Sequence, residues 1–182
     1  MNTPLIRRTG QAAAALVLSA MLLVACSTVA RAPAPAIDKA AGWVVAPFVN
    51  YTETPLAGQR AAAISEALLV ASGAAKVRRF DPAAPETPFE TAPAKAQAEA
   101  LAFARKDGAR YLLVGTVDEW RYKQGIDGEP AVGFVVTLID VQKGEPVWTA
   151  VGGKTGWSRE SLAAVGQKLL ADLMSPVMPT RD

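Results

Sequence analysis

Between Arg110 and Thr155 the chain passes through three apolar, β-branched segments joined by short connections, and this stretch constrains the fold more than any other. Arg110 to about Lys123, Val132 to Val141 and Pro146 to about Thr155 each carry the pattern of a strand. The "QKGE" link between the second and third leaves room only for a tight reversal, so these segments are expected to pair as antiparallel neighbours. Such a meander must bury at least one face. The cover is expected from three helices. Gly58 to Ala71 places Ala61, Ile64, Leu68 and Ala71 on one side, Ala94 to Lys106 is a second Ala-rich segment, and a third starts at "GWSRESL" with Leu162, Val165, Leu169 and Leu173 as its stripe. Two short strands, Trp43 to Val49 and Lys76 to Phe80, precede the meander. The order β-α-β-α-β-β-β-α predicts a small α+β domain with a mixed sheet of about five strands and helices packed on it.

Local chemistry sets the expected boundaries. Thr54 can cap the first helix, with Pro55 at its opening turn. For the last helix, Ser158 is the expected N-cap, Glu160 complements the dipole, and Trp157 can staple onto Leu162. The Pro-rich stretch from Asp81 to Pro93 reads as a loop.

The N-terminus sets the compartment. Arg7 and Arg8 precede an apolar run, Ala12 to Ala25, shorter than the ~20 residues of a spanning helix. This is the layout of a secretory signal peptide covering residues 1–25. The run ends in Leu23-Val24-Ala25-Cys26, which resembles the lipobox of bacterial lipoproteins, where the Cys thiol is acylated and becomes the new N-terminus. An ordinary signal peptide with a chance Cys is the alternative. Stable lipid anchoring takes more than one acyl chain, and the lipoprotein modification supplies several. Ser27 after the Cys favours the outer membrane under the familiar enterobacterial sorting rule. Ser27 to Ala40 is Ala/Pro-rich and reads as an extended, semi-stiff tether, so that residues 26–41 link the anchor to a periplasmic domain at 42–182.

Composition then removes several function classes. The chain has 19 Lys+Arg, 17 Asp+Glu and no His. Both surplus cations, Arg7 and Arg8, leave with the signal peptide, so no overall basic field argues for nucleic acid. Without His, the commonest general base and transition-metal ligand is missing. Cys26 is the only Cys, so no disulfide can form within the chain. No phosphate-cradling loop is present, and nothing calls for a cofactor or metal.

The hairpin "VDEWRYKQGIDGEPAVG" carries the candidate site. Simple alternation puts Asp118, Trp120 and Tyr122 on one face and Glu119, Arg121 and Lys123 on the other. A solvated strand end explains Glu119, Arg121 and Lys123. It explains less well an acid beside two aromatics, or a loop that is longer than a turn requires and adds Asp127 and Glu129. A surface facing another protein or a polymer accounts for both, since Trp and Tyr are favoured interface anchors. Trp157, in a Gly-rich approach with Lys154 nearby, has the composition of a membrane-interface contact, and Trp148 is a weaker candidate.

"APFVNYTETPLAGQRAAAI", "GARYLLVGTVDEWRYKQGIDGEPAVG" and "GWSRESL", following a lipobox, together resemble the PelC family of outer-membrane lipoproteins in the Pel exopolysaccharide export system. The wider order of elements is similar to TolB N-terminal, LpoB and CsgG-type periplasmic domains. The resemblance implies a non-enzymatic, lipid-anchored protein on the periplasmic face of the outer membrane, assembled as a dodecameric homo-oligomeric ring. Its electronegative funnel would guide a cationic amino-sugar polysaccharide toward a PelB-like β-barrel exporter. Asp118, Glu119, Asp127 and Glu129 would then be polymer-guiding acids, and Trp120, Arg121, Tyr122 and Lys123 would pack subunits together. An LpoB-like monomeric activator of a cell-wall synthase is the second reading. A glycan-cleaving enzyme using a carboxylate pair is the third.

Overall fold

The computed structural model describes residues 27–82, 93–125 and 128–179. The signal peptide, Cys26, Asp127 and most of the Asp81 to Pro93 loop lie outside the described residues. Within them the strands are β1 (Ser27–Arg31), β2 (Gly42–Val45), β3 (Val49–Asn50), β4 (Lys76–Arg79), β5 (Tyr111–Tyr122), β6 (Pro130–Asp140) and β7 (Glu145–Thr155). The helices are α1 (Ala57–Ser72), α2 (Pro93–Asp107) and α3 (Leu162–Met174). The expected meander forms the middle of one mixed sheet, ordered β1-β7-β6-β5-β2-β4, with β3 alongside β5. β2 runs parallel to both β4 and β5, while β5, β6, β7 and β1 are mutually antiparallel.

The apolar run at the start of β5 is buried on both faces. Leu113 joins Trp43, Phe134 and Leu138 under α1 and α3. Leu112 joins Val44 and Ile139 under α2. Farther along β5 no helix among the described residues covers the second face, and there the polar residues begin.

The α3 stripe is buried at Val165, Leu169 and Leu173 as expected, with Leu162 only partly buried. The α1 stripe differs. Its buried set is Ala57, Gly58, Ala61, Ala62, Ser65 and Leu69, whereas Ile64 and Leu68 are partly buried. The cause is close backbone contact: a Cβ on Gly58 would stand 1.9 Å from the Phe48 carbonyl oxygen. With Ala around most of the helix, composition alone does not choose the face.

Two expected caps are also displaced. The α1 N-cap is Leu56, in left-handed backbone, and Thr54 instead donates its hydroxyl to the Trp120 carbonyl at 2.6 Å. The α3 N-cap is Ser161, not Ser158, and its side chain makes no capping bond.

One buried charge closes the meander. Asp140 accepts the Gln142 and Lys143 amides at 3.0 and 3.2 Å and pairs with Arg110 at 2.9 Å. The Lys143 amide, then the Arg110 charge, hold its carboxyl below the usual carboxylate range against the opposing effect of burial. Gly144, at φ 71°, supplies the left-handed step that completes the turn.

Candidate functional site

The β5–β6 ladder pairs Val117 with Phe134 and then Glu119 with Gly133, leaving Asp118 as an extra residue. This is a β-bulge, and it takes Asp118 out of the alternation expected from the sequence, while Trp120 and Tyr122 keep to one face and Glu119 and Arg121 to the other. Past the bulge, Trp120 turns into the core while Asp118 and Glu119 come to the same face. A Cβ built on Gly133 would lie 3.5 Å from the Glu119 Cβ and 3.9 Å from the Asp118 Cβ. Gly133 therefore leaves open the space above which both acids stand.

The two carboxylates differ in their partners. Asp118 accepts the Thr116 hydroxyl at 3.0 and 3.1 Å, and no basic side chain among the described residues pairs with it. Glu119 accepts the Arg121 guanidinium at 3.0 Å. The face thus carries one unpaired carboxylate and one that is partly neutralised.

Chain segment 50–56 forms a wall beside these acids. The Tyr51 amide donates to the Val117 carbonyl at 2.9 Å, and its ring stands 65% exposed. A cleft of about 770 Å³ is lined by Tyr51, Glu53, Thr54, Asp118, Glu119 and Gly133, among others. Tyr51 also borders a second, more apolar groove of about 560 Å³ that runs between Phe48, Phe80, Val135 and Pro146. The open face is therefore apolar toward α2 and acidic toward the hairpin. Sequence reasoning missed Tyr51 because a residue in irregular chain has no period to mark its orientation.

The residues expected at a subunit contact separate. Trp120 is 2% exposed, with its ring 5.9 Å from Phe134 in an edge-on arrangement. A Cβ on Gly166 of α3 would meet the Trp120 ring at 2.7 Å, so glycine there makes room for the indole. Arg121, Tyr122 and Lys123 remain on the surface. The Tyr122 hydroxyl accepts the Leu162 amide at 3.1 Å and so serves the open N-terminus of α3. Lys123 reaches the Thr155 hydroxyl at 2.9 Å, and its amide closes the hairpin onto the Glu129 carbonyl at 2.8 Å. Glu129 is half-buried at the hairpin base.

Of the residues expected to form an extended, semi-stiff tether, Ser27–Arg31 are part of the sheet. β1 pairs with β7 from Ser27 opposite Lys154 to Arg31 opposite Ala150. Arg31 then pairs with Asp172 of α3, and the Trp148 indole donates to the Ala32 carbonyl at 3.1 Å. Trp148 is 2% exposed and belongs to the core. Trp157 is 57% exposed, and with the α3 N-cap at Ser161 it no longer occupies the position just before the cap from which a staple is made. The Glu160 carboxylate accepts the Lys168 ammonium and the Trp157 amide, in that order the main causes that hold it below the usual range.

A seven-stranded mixed sheet carrying α1 and α3 on one face, with β1 as its first edge, defines a fold shared with bacterial lipoproteins. Lipoprotein GNA1162 from Neisseria meningitidis superposes with a TM-score of 0.52 at 21% identity, over 74% of this chain and 96% of that one. The family is set by a nearer likeness: the chain belongs to the PelC family. The PelC dodecamer from Paraburkholderia phytofirmans is 42% identical, with a TM-score of 0.73 over 86% of this chain and 100% of that one. A second crystal form from that organism matches at 42% identity over 85% of this chain and 99% of that one. No family model and no curated protein matches the chain. No helix among the described residues is long and apolar enough to cross a membrane.

Proposed function

We propose that this protein is a lipid-anchored ring subunit that passes a cationic amino-sugar polysaccharide through an acid-lined bore to an outer-membrane β-barrel exporter. Cys26 is the acylated residue, and the domain stands on the periplasmic face of the outer membrane. The observation that carries this reading is the bulge at Asp118. It turns two adjacent carboxylates to one open face in a chain 42% identical to a dodecameric protein.

The electrostatics favour many copies. Screening limits an exposed charge to about 8–10 Å at ordinary salt, so two acids on one subunit guide nothing over distance. Repeated around a narrow bore, their fields overlap and hold ammonium groups without chemical conversion. Asp118 and Glu119 form the primary row, and Asp127 and Glu129 are further polymer-guiding acids of the same hairpin sequence. Arg121, Tyr122 and Lys123 meet the neighbouring subunit, and Trp157 rests at the membrane interface. A monomeric synthase activator is not favoured, because the 42% identical relatives are dodecamers.

The mass of the lipidated chain in mild detergent tests the assembly. Light scattering is expected to give a large homo-oligomer. A single-chain mass across the accessible concentration range contradicts the ring.

A further inference from the structure

The segment beside the acids is tied down more firmly than a connecting loop requires. The Asn50 Oδ1 accepts the Thr52 amide at 3.0 Å and the Thr52 hydroxyl at 2.7 Å, while its Nδ2 donates to the Thr54 carbonyl at 2.8 Å. The Thr54 hydroxyl binds the Trp120 carbonyl at 2.6 Å, and the Tyr51 amide binds the Val117 carbonyl at 2.9 Å. The largest side chain of this wall takes no part in the core. Tyr51 stands 65% exposed on a backbone fixed at both sides.

A single exposed aromatic is ordinary. Position singles this one out, because Tyr51 borders two spaces of opposite character. On one side lies the cleft of about 770 Å³, with Asp118 and Glu119 on the strand and Glu53 on the loop. On the other lies the groove of about 560 Å³, where Phe48, Val49 and Val135 are neighbours and no charged residue among the described residues contributes to the lining.

An amino sugar has the same two sides. One face of a pyranose presents C–H groups, and the amine carries a positive charge. The negative face of an aromatic ring attracts both. Binding sites for small molecules pair an apolar platform with a few placed polar groups in this way.

We propose that Tyr51 is a sugar-stacking residue: its ring takes the apolar face of one pyranose unit, while Asp118 and Glu53, on the two walls of the cleft, accept that unit's ammonium. The inference rests on the polymer-guiding reading and deepens it. Carboxylates recognise charge alone, and salt screens them. The ring contact needs no charge, so it extends recognition to an N-acetylated sugar and gives each subunit a position at which one unit is held.

The test uses the full lipidated chain in mild detergent, with a glucosamine pentamer and an N-acetylglucosamine pentamer as probes and calorimetry as the readout. Both are expected to bind, the glucosamine pentamer more tightly, and added salt should weaken only that advantage. Tyr51→Ala should lower the affinity for both by about fivefold. Tyr51→Phe keeps the ring and should restore most of it. Asp118→Asn should weaken the glucosamine pentamer more than the N-acetylated one. Saturation-transfer NMR on the unaltered protein gives a measure that needs no variant: irradiating aromatic protons should mark the C–H protons of one pyranose face.

Unchanged binding of both pentamers by Tyr51→Ala overturns the proposal, and the polymer-guiding reading survives if Asp118→Asn still weakens the glucosamine pentamer. A loss confined to the charged pentamer, or equal loss in Tyr51→Phe, also overturns stacking. So does a Tyr51→Ala chain of lower oligomer mass, which would assign the ring to a contact between copies. Weakening by Tyr51→Ala with no effect of Asp118→Asn and Glu119→Gln contradicts the acid reading alone. An unaltered protein that binds neither pentamer overturns both.

Discussion

Trp120→Ala is expected to destabilise the domain by about 3–5 kcal/mol, the usual cost of removing a large buried aromatic. Its indole is 2% exposed, packs on Phe134, and occupies the space that Gly166 of α3 leaves open. Three elements converge on it: β5 carries it, α3 closes over it, and the Trp120 carbonyl receives the Thr54 hydroxyl. Truncation leaves a cavity that α3 cannot fill without moving, because its own contact residue has no side chain. Trp120→Phe should cost distinctly less, since it keeps a ring in contact with Phe134. Urea denaturation of the two variants checks this. A loss below about 1 kcal/mol for Trp120→Ala would mean that the indole does not hold the strand and helix together.

Neutralising the acids is expected to act on transport and leave the fold in place. Asp118→Asn with Glu119→Gln removes one exposed and one half-buried surface charge, where stability changes are usually within about 0.5 kcal/mol, and one solvent-accessible ion pair worth about 0–1 kcal/mol. A carboxylate–ammonium hydrogen bond contributes about 1.5–3 kcal/mol. Losing it should lower polymer occupancy by about tenfold or more. The two positions are not equivalent. Asp118 has no cationic partner among the described residues, while Glu119 already pairs with Arg121. Asp118→Asn alone should therefore reduce secretion more than Glu119→Gln alone. Secreted polymer measured in cells carrying the export system, with oligomer mass as control, decides this. Equal secretion in all variants contradicts a role for these acids.

The physical reasons behind what could and could not be read from the sequence are specific. The β5–β6–β7 meander was legible because period-two apolar patterning and the Gly144 turn are local signals. The helices were legible from spacing and length, although the buried face of α1 was not, since Ala supports packing on several sides. The bulge was invisible. A bulge of this kind demands no Gly, yet it shifts the parity of every later residue, moving Trp120 inward and Asp118 away from it.

β1 was hidden for a different reason. "STVAR" is short, and its strand character comes from β7 and from the Arg31–Asp172 and Trp148–Ala32 contacts, which are far apart in sequence. The Ala/Pro residues after it drew the reading toward a tether. The start of α3 was misplaced because Arg159 adopts a backbone conformation usually marked by Gly. The acidic residues of the candidate site were thus found by composition, and their arrangement was set by long-range pairing.

Electron microscopy of the detergent-extracted, lipidated assembly tests the central claim most directly, because it locates the carboxylates as well as counting the chains. The account predicts a closed annulus in which Asp118 and Glu119 of every copy face the bore. Single-chain particles, or a ring with these side chains on its outer rim, would contradict it.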